Sequence, residues 1–310
     1  MMRRAATGPL AQDDTLATLY AGALGRVEYL SCTGKRRGRG GPANSQHFHI
    51  VLPLSGSFVF HPGKHEFFAD PATAVFAGAG EDFEISHPVS GDRSLVIWPN
   101  AATMEAITRA EPKHWSRNAA FAARTRRTTA EIQRAEHALI AACARPENEL
   151  EIEEILARLL TLLVDDSTSG ERAEAAGGQR TVARAKALMQ ERARGRLTLA
   201  EIAQAVGVTP VYLTQLFRAV EGVPLYQYAL NLRLAAALDA LAESDDITRL
   251  AIDAGFSSHS HFTAAFRRRF GAAPSALRAE LRPQERDEAE RPRAVRPLCA
   301  ARGGAIDCAW

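Results

Sequence analysis

Hydrophobic residues in the first hundred positions occur in short runs, and turn-forming residues separate these runs. The clearest are HFHIVLPL (47–54), SFVF (57–60), TAVF (73–76) and SLVIW (94–98). Gly, Pro, Ser and Asp fill the stretches between them. Short strands at this spacing are typical of an antiparallel sandwich or barrel.

From about residue 101 to residue 164 the pattern changes to a helical period. Apolar residues recur at steps of three and four between charged ones, which predicts an amphipathic helix. Its apolar stripe consists of Ile152, Ile155, Leu156, Leu159, Leu160 and Leu163. Such a stripe has to be buried. Packing within the chain and a dimer contact with a second copy are both open at this point.

Two segments interrupt these patterns. Residues 165–179 (DDSTSGERAEAAGGQ) are small and polar, which predicts a linker. From residue 283 to residue 310, charges and prolines replace apolar periodicity, as in a mobile tail. The chain of 310 residues is long enough for about two cores, so we expect one domain over 1–164 and a second over 180–282.

An internal repeat organises residues 180–282. Five positions recur 48 residues later with a similar residue at each: Leu199, Ile202, Ala203, Val206 and Gly207 match Ile247, Leu250, Ala251, Ala254 and Gly255. After one inserted residue the match continues: Leu213, Phe217, Arg218 and Gly222 match Phe262, Phe266, Arg267 and Gly271. Two catalytic sites in one small domain would be unusual, so the repeat indicates a structural unit that is used twice.

Each copy is predicted to be a helix-turn-helix. In the first copy a short helix ends at Gly207, because glycine accepts the left-handed conformation of a tight turn. Thr209 can cap the next helix, and Pro210 suits its first position. That helix buries Leu213 and Phe217, which leaves its polar face free to enter a DNA major groove.

The second copy contains GFSSHSHFTAAFRRRFG (255–271), whose histidines and serines invite catalytic interpretations. His259 and His261 are two residues apart on a helix, so they point about 200° apart and cannot bind one metal ion. A serine hydrolase is excluded because no acidic partner or nucleophile elbow accompanies the serines. Ser257 or Ser258 is expected to cap this helix. The core positions are expected to be Phe262, Phe266 and Phe270.

The segment between the copies predicts one long helix. LYQYALNLRLAAALDALAES (225–244) lacks Gly and Pro, and about twenty helical residues span roughly 30 Å. Successive major-groove faces are ~34 Å apart, so one chain could read two adjacent grooves. Charge supports a polyanionic partner: residues 180–282 carry 14 Lys and Arg against 9 Asp and Glu, whereas residues 1–179 carry 19 against 22.

The repeat resembles the DNA-binding domain of AraC/XylS-type transcription regulators. The resemblance rests on IDAGFSSHSHFTAAFRRRFGAAPSALR (252–278) and LAEIAQAVGVTPVYLTQLFRAVEGVP (199–224), within about a third of the chain. It implies a transcription regulator that binds double-stranded DNA, and contact with RNA polymerase if the regulator is an activator. It also implies base contacts by Val211, Thr214, Gln215, His259, Ser260, Thr263 and Ala264. The implied phosphate contacts are Arg218, His261, Arg267 and Arg268.

Two positions depart from the family's pattern. The family commonly has arginine where this chain has Gln215 and Ala264. Arginine holds guanine bidentately, whereas glutamine prefers adenine and alanine can touch only a thymine methyl group. The resemblance therefore implies less base specificity from the second unit.

The N-terminal region resembles the cupin-type sensor domain that is common in this family, on its strand spacing and on FFADPATAVFAGAGEDFEISHPVSGD (67–92). His47 and His49 alternate onto one strand face, and His87 lies near a later strand end, which imitates metal-binding cupin enzymes. Pro53 and Leu54 stand near the place of the glutamate ligand in those enzymes. We therefore assign no metal and no cofactor to the chain.

A small barrel can hold one small-molecule effector. The lining candidates are His47, His49, Phe58, Phe60, Phe76 and Trp98. The basic residues Lys35, Arg36, Arg37 and Arg39 are interpreted as a solvated loop rather than an anion site.

The remaining composition limits the location. The cysteines Cys32, Cys143, Cys299 and Cys308 lack Cys-x-x-Cys spacing, so we expect reduced thiols and no zinc site. No apolar run is long enough for a membrane span, and the start (MMRRAATGPLAQDD) lacks the apolar core of a signal peptide. A cytoplasmic location is the expectation.

The sequence thus predicts a two-domain α+β protein. Its N-terminal domain is expected to be a cupin-like antiparallel β-barrel with flanking helices, and its C-terminal domain an all-α double helix-turn-helix. The predicted function is sequence-specific DNA-binding transcription regulation by a homodimer under effector control, without enzymatic activity. The alternatives are a metal-dependent cupin enzyme with a vestigial DNA-binding domain, and a structural nucleic-acid binder with little sequence preference.

Overall fold

The computed structural model of the chain describes residues 14–34, 40, 42–89, 91–110, 124–145, 149–164, 178–192 and 197–282. Three predicted segments lie wholly or mostly outside these residues: the basic run at 35–39, the linker, of which 165–177 are not described, and the tail at 283–310.

Antiparallel strands build the N-terminal domain. The described strands are β1 (Thr15–Gly22), β2 (Gly25–Ser31), β3 (Ala43–Ser45), β4 (His49–Gly56), β5 (Phe58–Pro62), β6 (Phe67–Ala69), β7 (Thr73–Ala77), β8 (Glu81–Ser86), β9 (Asp92–Pro99) and β10 (Thr125–Arg127). They pair into a large sheet of order β1-β2-β9-β4-β7-β10 and a small sheet of order β3-β8-β5-β6. The predicted antiparallel domain is confirmed, and its recorded pairings form two sheets.

The central strands β4, β7 and β9 of the large sheet are buried on both faces, and the alternation along each strand decides which core a residue joins. Leu52, Leu95 and Ile97 face the helices α2 (Ala130–Cys143) and α3 (Glu149–Val164). Val75 and Ala77 face the small sheet and pack with its phenylalanines. A further helix, α1 (Ala101–Ala110), follows β9.

The apolar stripe of α3 packs inside the chain. Ile152, Leu156, Leu159, Leu160 and Leu163 are all 3% exposed or less and belong to the core that α2 and the large sheet share. Of the two alternatives for this stripe, the structure favours packing within the chain over a dimer contact, because its residues already have partners in the same chain.

The C-terminal domain is helical. Its described helices are α4 (Gln179–Glu191), α5 (Leu199–Val206), α6 (Pro210–Glu221), α7 (Leu225–Asp239), α8 (Ile247–Asp253), α9 (His259–Phe270) and α10 (Pro274–Leu281). One core joins α4, α5 and α6 to the start of α7, and a second joins the rest of α7 to α8, α9 and α10. The double helix-turn-helix is confirmed.

Helix α7 is shorter than the sequence predicts. It ends at Asp239, and a turn over 240–243 follows instead of further helix. Its 15 residues rise about 22 Å, less than the ~34 Å between successive major-groove faces. Leu241 at the turn is fully buried in the second core, so tertiary packing outweighs the helix propensity of this Ala- and Leu-rich segment.

Candidate nucleic-acid interface

Local hydrogen bonds shape the first helix-turn-helix. Thr198 and Glu201 form a capping box at the start of α5, with the Thr198 N–H donating to Glu201 Oε2 at 2.7 Å. Gly207 ends the helix with a φ of 77°, in the left-handed region. Thr209 then accepts the N–H of Tyr212 at 3.2 Å, and Pro210 is the first residue of α6. The predicted turn signals are confirmed.

Helix α6 presents one face to solvent. Leu213 and Phe217 are fully buried, whereas Val211 is 70% exposed and Gln215 is also exposed. The Thr214 hydroxyl donates to the Pro210 carbonyl at 2.9 Å. That bond uses its one hydrogen inside the helix, so Thr214 offers an outside partner only acceptor lone pairs and a methyl group.

The second unit repeats this construction. Ser258 accepts the N–H of His261 at 3.2 Å, so it is the cap that the sequence left undecided between two serines. The predicted core positions Phe262, Phe266 and Phe270 are at most 2% exposed. Gly271 ends α9 with a φ of 77°.

The solvent face of α9 forms a single surface feature. An open depression of about 630 Å³ is lined by His259, Ser260, Thr263, Ala264, Arg267 and Arg268. Thr263 is only half-exposed, and its Oγ1 is buried without a protein hydrogen-bond partner within the described residues. His261 is exposed but does not line the depression, and its ring packs edge-on against Phe256 at 5.4 Å.

The three consecutive arginines of α9 point in different directions. Arg267 and Arg268 are exposed beside the depression. Arg269 instead turns to the N-terminal domain, where it donates to Gln133 Oε1 of α2 at 3.0 Å. Burial lowers the pKa of the Arg269 guanidinium. Two of the three arginines are therefore left for a phosphate backbone.

The N-terminal domain places an arginine at the C-terminus of each of these two helices. Arg127 lies against the end of α6, where it contacts the Val220 carbonyl at 3.4 Å. Gly222 ends α6 with a φ of 63°, in the left-handed region that favours glycine, and the Arg127 guanidinium lies directly beside it. Arg134 donates to the Phe270 carbonyl at the end of α9 at 3.0 Å. Positive charge at these ends is favourable because the helix dipole is negative there.

A buried ionic cluster adds a further interdomain contact. Asp70, from the loop after β6, is fully buried, and its Oδ2 lies 2.7 Å from Lys186 Nζ of α4. The same oxygen accepts the Tyr228 hydroxyl of α7 at 2.5 Å. Glu221 of α6 lies 3.2 Å from Lys186 Nζ. Since buried charges are tolerated only with partners, this cluster ties three C-terminal helices to the N-terminal domain.

The structure does not bring the six predicted effector-pocket residues together. His49 stacks on Trp98 with ring centroids 4.3 Å apart, and Phe58 and Phe60 lie between the two sheets. Phe76, however, belongs to the core that faces α2 and α3, while Val75 and Ala77 face the small sheet. His47 is exposed. This corrects the predicted lining, because alternation along β7 directs Phe76 to the opposite face.

The predicted histidine trio also does not converge. His49 is buried, with its Nδ1 2.9 Å from Ser45 Oγ, and burial lowers its pKa to about 4. His87 lies 2.7 Å from Asp92 instead. Within the described residues, the group of potential metal ligands that meets is Cys32, His87 and Asp92, not His47, His49 and His87.

Sequence reasoning missed the interdomain residues. Arg127, Arg134, Asp70 and Lys186 carry no local motif, because their partners are far away in the chain. The available signal was Lys186, which lies on the apolar stripe of α4 with Val182, Ala185 and Met189. A lysine on such a stripe indicates a buried partner.

Comparison with known proteins agrees with the C-terminal geometry. A family model described as a helix-turn-helix domain matches residues 202–280. The transcriptional activator RhrA of Rhizobium meliloti is 33% identical over 92 residues, which are 29% of this chain and 29% of that protein. The regulator ExsA of Pseudomonas aeruginosa is 34% identical over 100 residues, which are 32% of this chain and 36% of that protein. The chain therefore spans about a third of these curated relatives.

One solved structure is similar to about a third of the chain. A transcriptional regulator with an AraC-type DNA-binding domain, from Chromobacterium violaceum, is 33% identical, and the match covers 34% of this chain and 96% of that one with a TM-score of 0.33. Residues 202–280 thus match a helix-turn-helix domain family, and this part of the chain is similar to curated transcription regulators.

No helix in the described parts of the chain is long and apolar enough to span a membrane.

Proposed function

We propose that the chain is a sequence-specific DNA-binding transcription regulator. The observation that carries this proposal is the pair of solvent-facing surfaces on α6 and α9. Each is backed by its own core, and each is exposed at its predicted base-reading residues apart from the half-exposed Thr263. A helix-turn-helix reads bases with this face of its second helix.

The proposed base contacts differ in chemistry along the two helices. Gln215 on α6 can pair with adenine through its amide, and Val211 can pack on a thymine methyl group. On α9, His259 and Ser260 offer polar groups at the start of the helix. Because the Thr263 hydroxyl is buried, its proposed contact is through the methyl group, as for Ala264. The proposed hydrogen-bonded base contacts are therefore Gln215 in the first unit, and His259 and Ser260 in the second.

Basic residues beside both faces are proposed to hold the DNA backbone. Arg218, Arg267 and Arg268 are exposed, and His261 adds a ring near the start of α9. Each phosphate contact releases counterions, so binding should weaken steeply as salt rises.

We propose that the N-terminal domain sets how the two reading helices are placed. It contacts α6 through Arg127, α9 through Arg134, and α4 and α7 through Asp70. A small-molecule effector in this domain would act by shifting these contacts. We also propose that residues 1–164 form a cupin-like sensor and dimerisation domain, 165–179 a linker, 180–282 the DNA-binding domain and 283–310 a tail. The protein is proposed to act as a homodimer in the cytoplasm. If it is an activator, it is proposed to contact RNA polymerase.

Catalysis is not part of the proposal. The rival hypothesis of a metal-dependent cupin enzyme needs His47, His49 and His87 around one ion, and His49 and His87 have separate partners while His47 is exposed.

Selection from a randomised duplex library with the full chain tests the proposed function. We expect two enriched sequence blocks at physiological salt. Gln215→Ala should lower the preference for the favoured bases in the first block, and Ser260→Ala should do so in the second. The expected loss is about 1–3 kcal/mol of discrimination at one base pair. Gln204→Ala, an exposed glutamine on α5, is the matched control and should leave both blocks intact. Binding without any enriched sequence would favour the structural nucleic-acid binder instead.

A further inference from the structure

Three side chains from separate parts of the N-terminal domain meet beside the start of β9. Cys32 directly follows β2, His87 directly follows β8, and Asp92 is the first residue of β9. One potential ligand atom from each lies within 4.8 Å of the other two. A thiol, an imidazole and a carboxylate are thus gathered at one end of the two sheets.

The backbone holds this group together. The Cys32 N–H donates to the Asp92 carbonyl at 2.8 Å. At Gly91, an added Cβ would lie 1.6 Å from the Cys32 carbonyl oxygen, so only glycine allows the segments to approach this closely. The close approach of Cys32 to Asp92 is therefore set by main-chain packing and does not depend on the side chains themselves.

Hydrogen bonds orient the ligands. Asp92 Oδ1 lies 2.7 Å from His87 Nε2, and Asp92 Oδ2 accepts the Ser94 hydroxyl at 2.5 Å. A carboxylate braced by a neighbouring hydroxyl is the kind of support that metal ligands usually have. The Asp92 side chain is 2% exposed and that of His87 13%, while Cys32 is half-buried. The group is sheltered, and His87 and Cys32 keep partial contact with solvent.

The donor set selects the ion. A thiolate with an imidazole and a carboxylate suits zinc, whereas magnesium and calcium prefer oxygen ligands only. In a tetrahedral site with metal–ligand distances of about 2.0–2.1 Å, the nitrogen and oxygen ligands are roughly 3.3 Å apart. The His87–Asp92 pair at 2.7 Å would have to open by about 0.6 Å, which small side-chain rotations can supply.

We propose that Cys32, His87 and Asp92 form a binding site for one thiophilic divalent cation, with zinc as its reference ion and a fourth position open to solvent or to a ligand. The sequence-based expectation of no zinc site considered only Cys-x-x-Cys spacing and the three histidines, whereas these ligands are assembled by strand pairing. The site lies one residue from Arg93, which forms an ion pair with Asp239 of α7. Metal binding is therefore placed next to a contact with the DNA-binding domain.

Metal titration of the full chain tests the site. After chelator treatment, the protein is titrated with zinc against a chromophoric chelator, and with cobalt(II) to detect a thiolate-to-cobalt charge-transfer band. We expect one tight site and a clear band. Cys32→Ser should abolish the band, and Cys32→Ser and His87→Gln should each weaken zinc binding by about 100-fold or more. Cys143→Ser, at a half-buried thiol on α2, is the matched control and should bind like the unchanged protein.

Each other outcome overturns the proposal. If the folded, unchanged protein takes no zinc from the chromophoric chelator, it has no such site. The same holds if it binds cobalt without a thiolate-to-cobalt band. Equal affinity in Cys32→Ser, His87→Gln and the control would place the ion elsewhere. Circular dichroism of each variant separates loss of ligation from loss of the fold. The band in the unchanged protein remains a test even if a variant does not fold.

Discussion

Arg134 of α2 donates a hydrogen bond at 3.0 Å to the carbonyl of Phe270, the last residue of α9. Arg127, seven residues earlier in the N-terminal domain, lies against the end of α6. One short segment therefore contacts α6 and α9, the two predicted DNA-reading helices, at their C-termini. The positive charge of its two arginines is favourable there, because the helix dipole is negative at a C-terminus. The base-reading faces remain in solvent, so docking on the N-terminal domain and reading DNA use different surfaces of the same helices.

Replacing Arg134 should loosen this docking locally. In Arg134→Ala we expect the amides near Phe270 and Gly271 to exchange hydrogen faster, because the carbonyl cap is lost and such a contact contributes about 1 kcal/mol. Hydrogen exchange with mass spectrometry measures this. Arg158→Ala is the control, since Arg158 pairs with Glu131 on the exposed surface. Identical exchange near Gly271 in the two variants would show that the Arg134 contact does not restrain α9.

Removing the Asp70 charge should destabilise the whole chain. Asp70→Asn leaves Lys186 buried with Glu221 as its remaining carboxylate at 3.2 Å, and breaking a buried ion pair costs about 3–5 kcal/mol. We expect the free energy of unfolding, measured with urea, to fall by an amount at the lower end of that range. Adding Lys186→Met together with Glu221→Gln should restore most of the loss, because neither charge of the remaining buried pair is then present.

The control for Asp70 is Asp253→Asn, which removes an exposed pair with Arg249 on α8. Its effect should stay below about 1 kcal/mol. A loss in Asp70→Asn no larger than in this control would mean that the cluster does not hold the domains together.

Stability should fall in mild acid because of His49. Burial lowers the pKa of His49 to about 4 from an ordinary value of 6.5. The unfolded chain therefore takes up the proton first as pH falls. The contribution of His49 is fully present above pH 6.5 and is lost towards pH 4, by about 3 kcal/mol at most. The free energy of unfolding in urea should depend less steeply on pH, between 7.5 and 4.5, in His49→Gln than in His47→Gln. His47→Gln is the control because His47 is exposed. Equal pH dependence in both variants would contradict the assignment.

The sequence predicted what short-range rules decide. Thr209, Pro210 and Gly207 act within one turn of their own helices, so the caps of the first unit could be read from the chain, and the repeat carried the same reading to the second. The antiparallel strands followed from turn residues in the same way. Spacing alone also showed that His259 and His261 cannot share a metal ion.

Contacts between distant segments could not be read in this way. The face of the sheet on which Phe76 lies depends on strand register, which a single run of apolar residues does not reveal. In the sequence Arg269 cannot be told apart from Arg267 and Arg268. Only the packing of α2 against α9 directs it to Gln133. Lys186 met Asp70, and Cys32 met His87 and Asp92, only through the tertiary fold.

The backbone contacts of α9 can be counted through salt. Arg267→Ala should weaken DNA binding to a similar extent on all sequences and reduce the slope of log affinity against log salt concentration by about 1, because one phosphate contact and its released counterion are lost. Arg249→Ala provides the matched control, as Arg249 is exposed on α8 and already pairs with Asp253 at 3.1 Å. Affinity measured from low to high salt gives both slopes. If Arg267→Ala kept the full slope but changed the preferred bases, Arg267 would read sequence and not backbone, and the depression on α9 would need a different division between bases and phosphates.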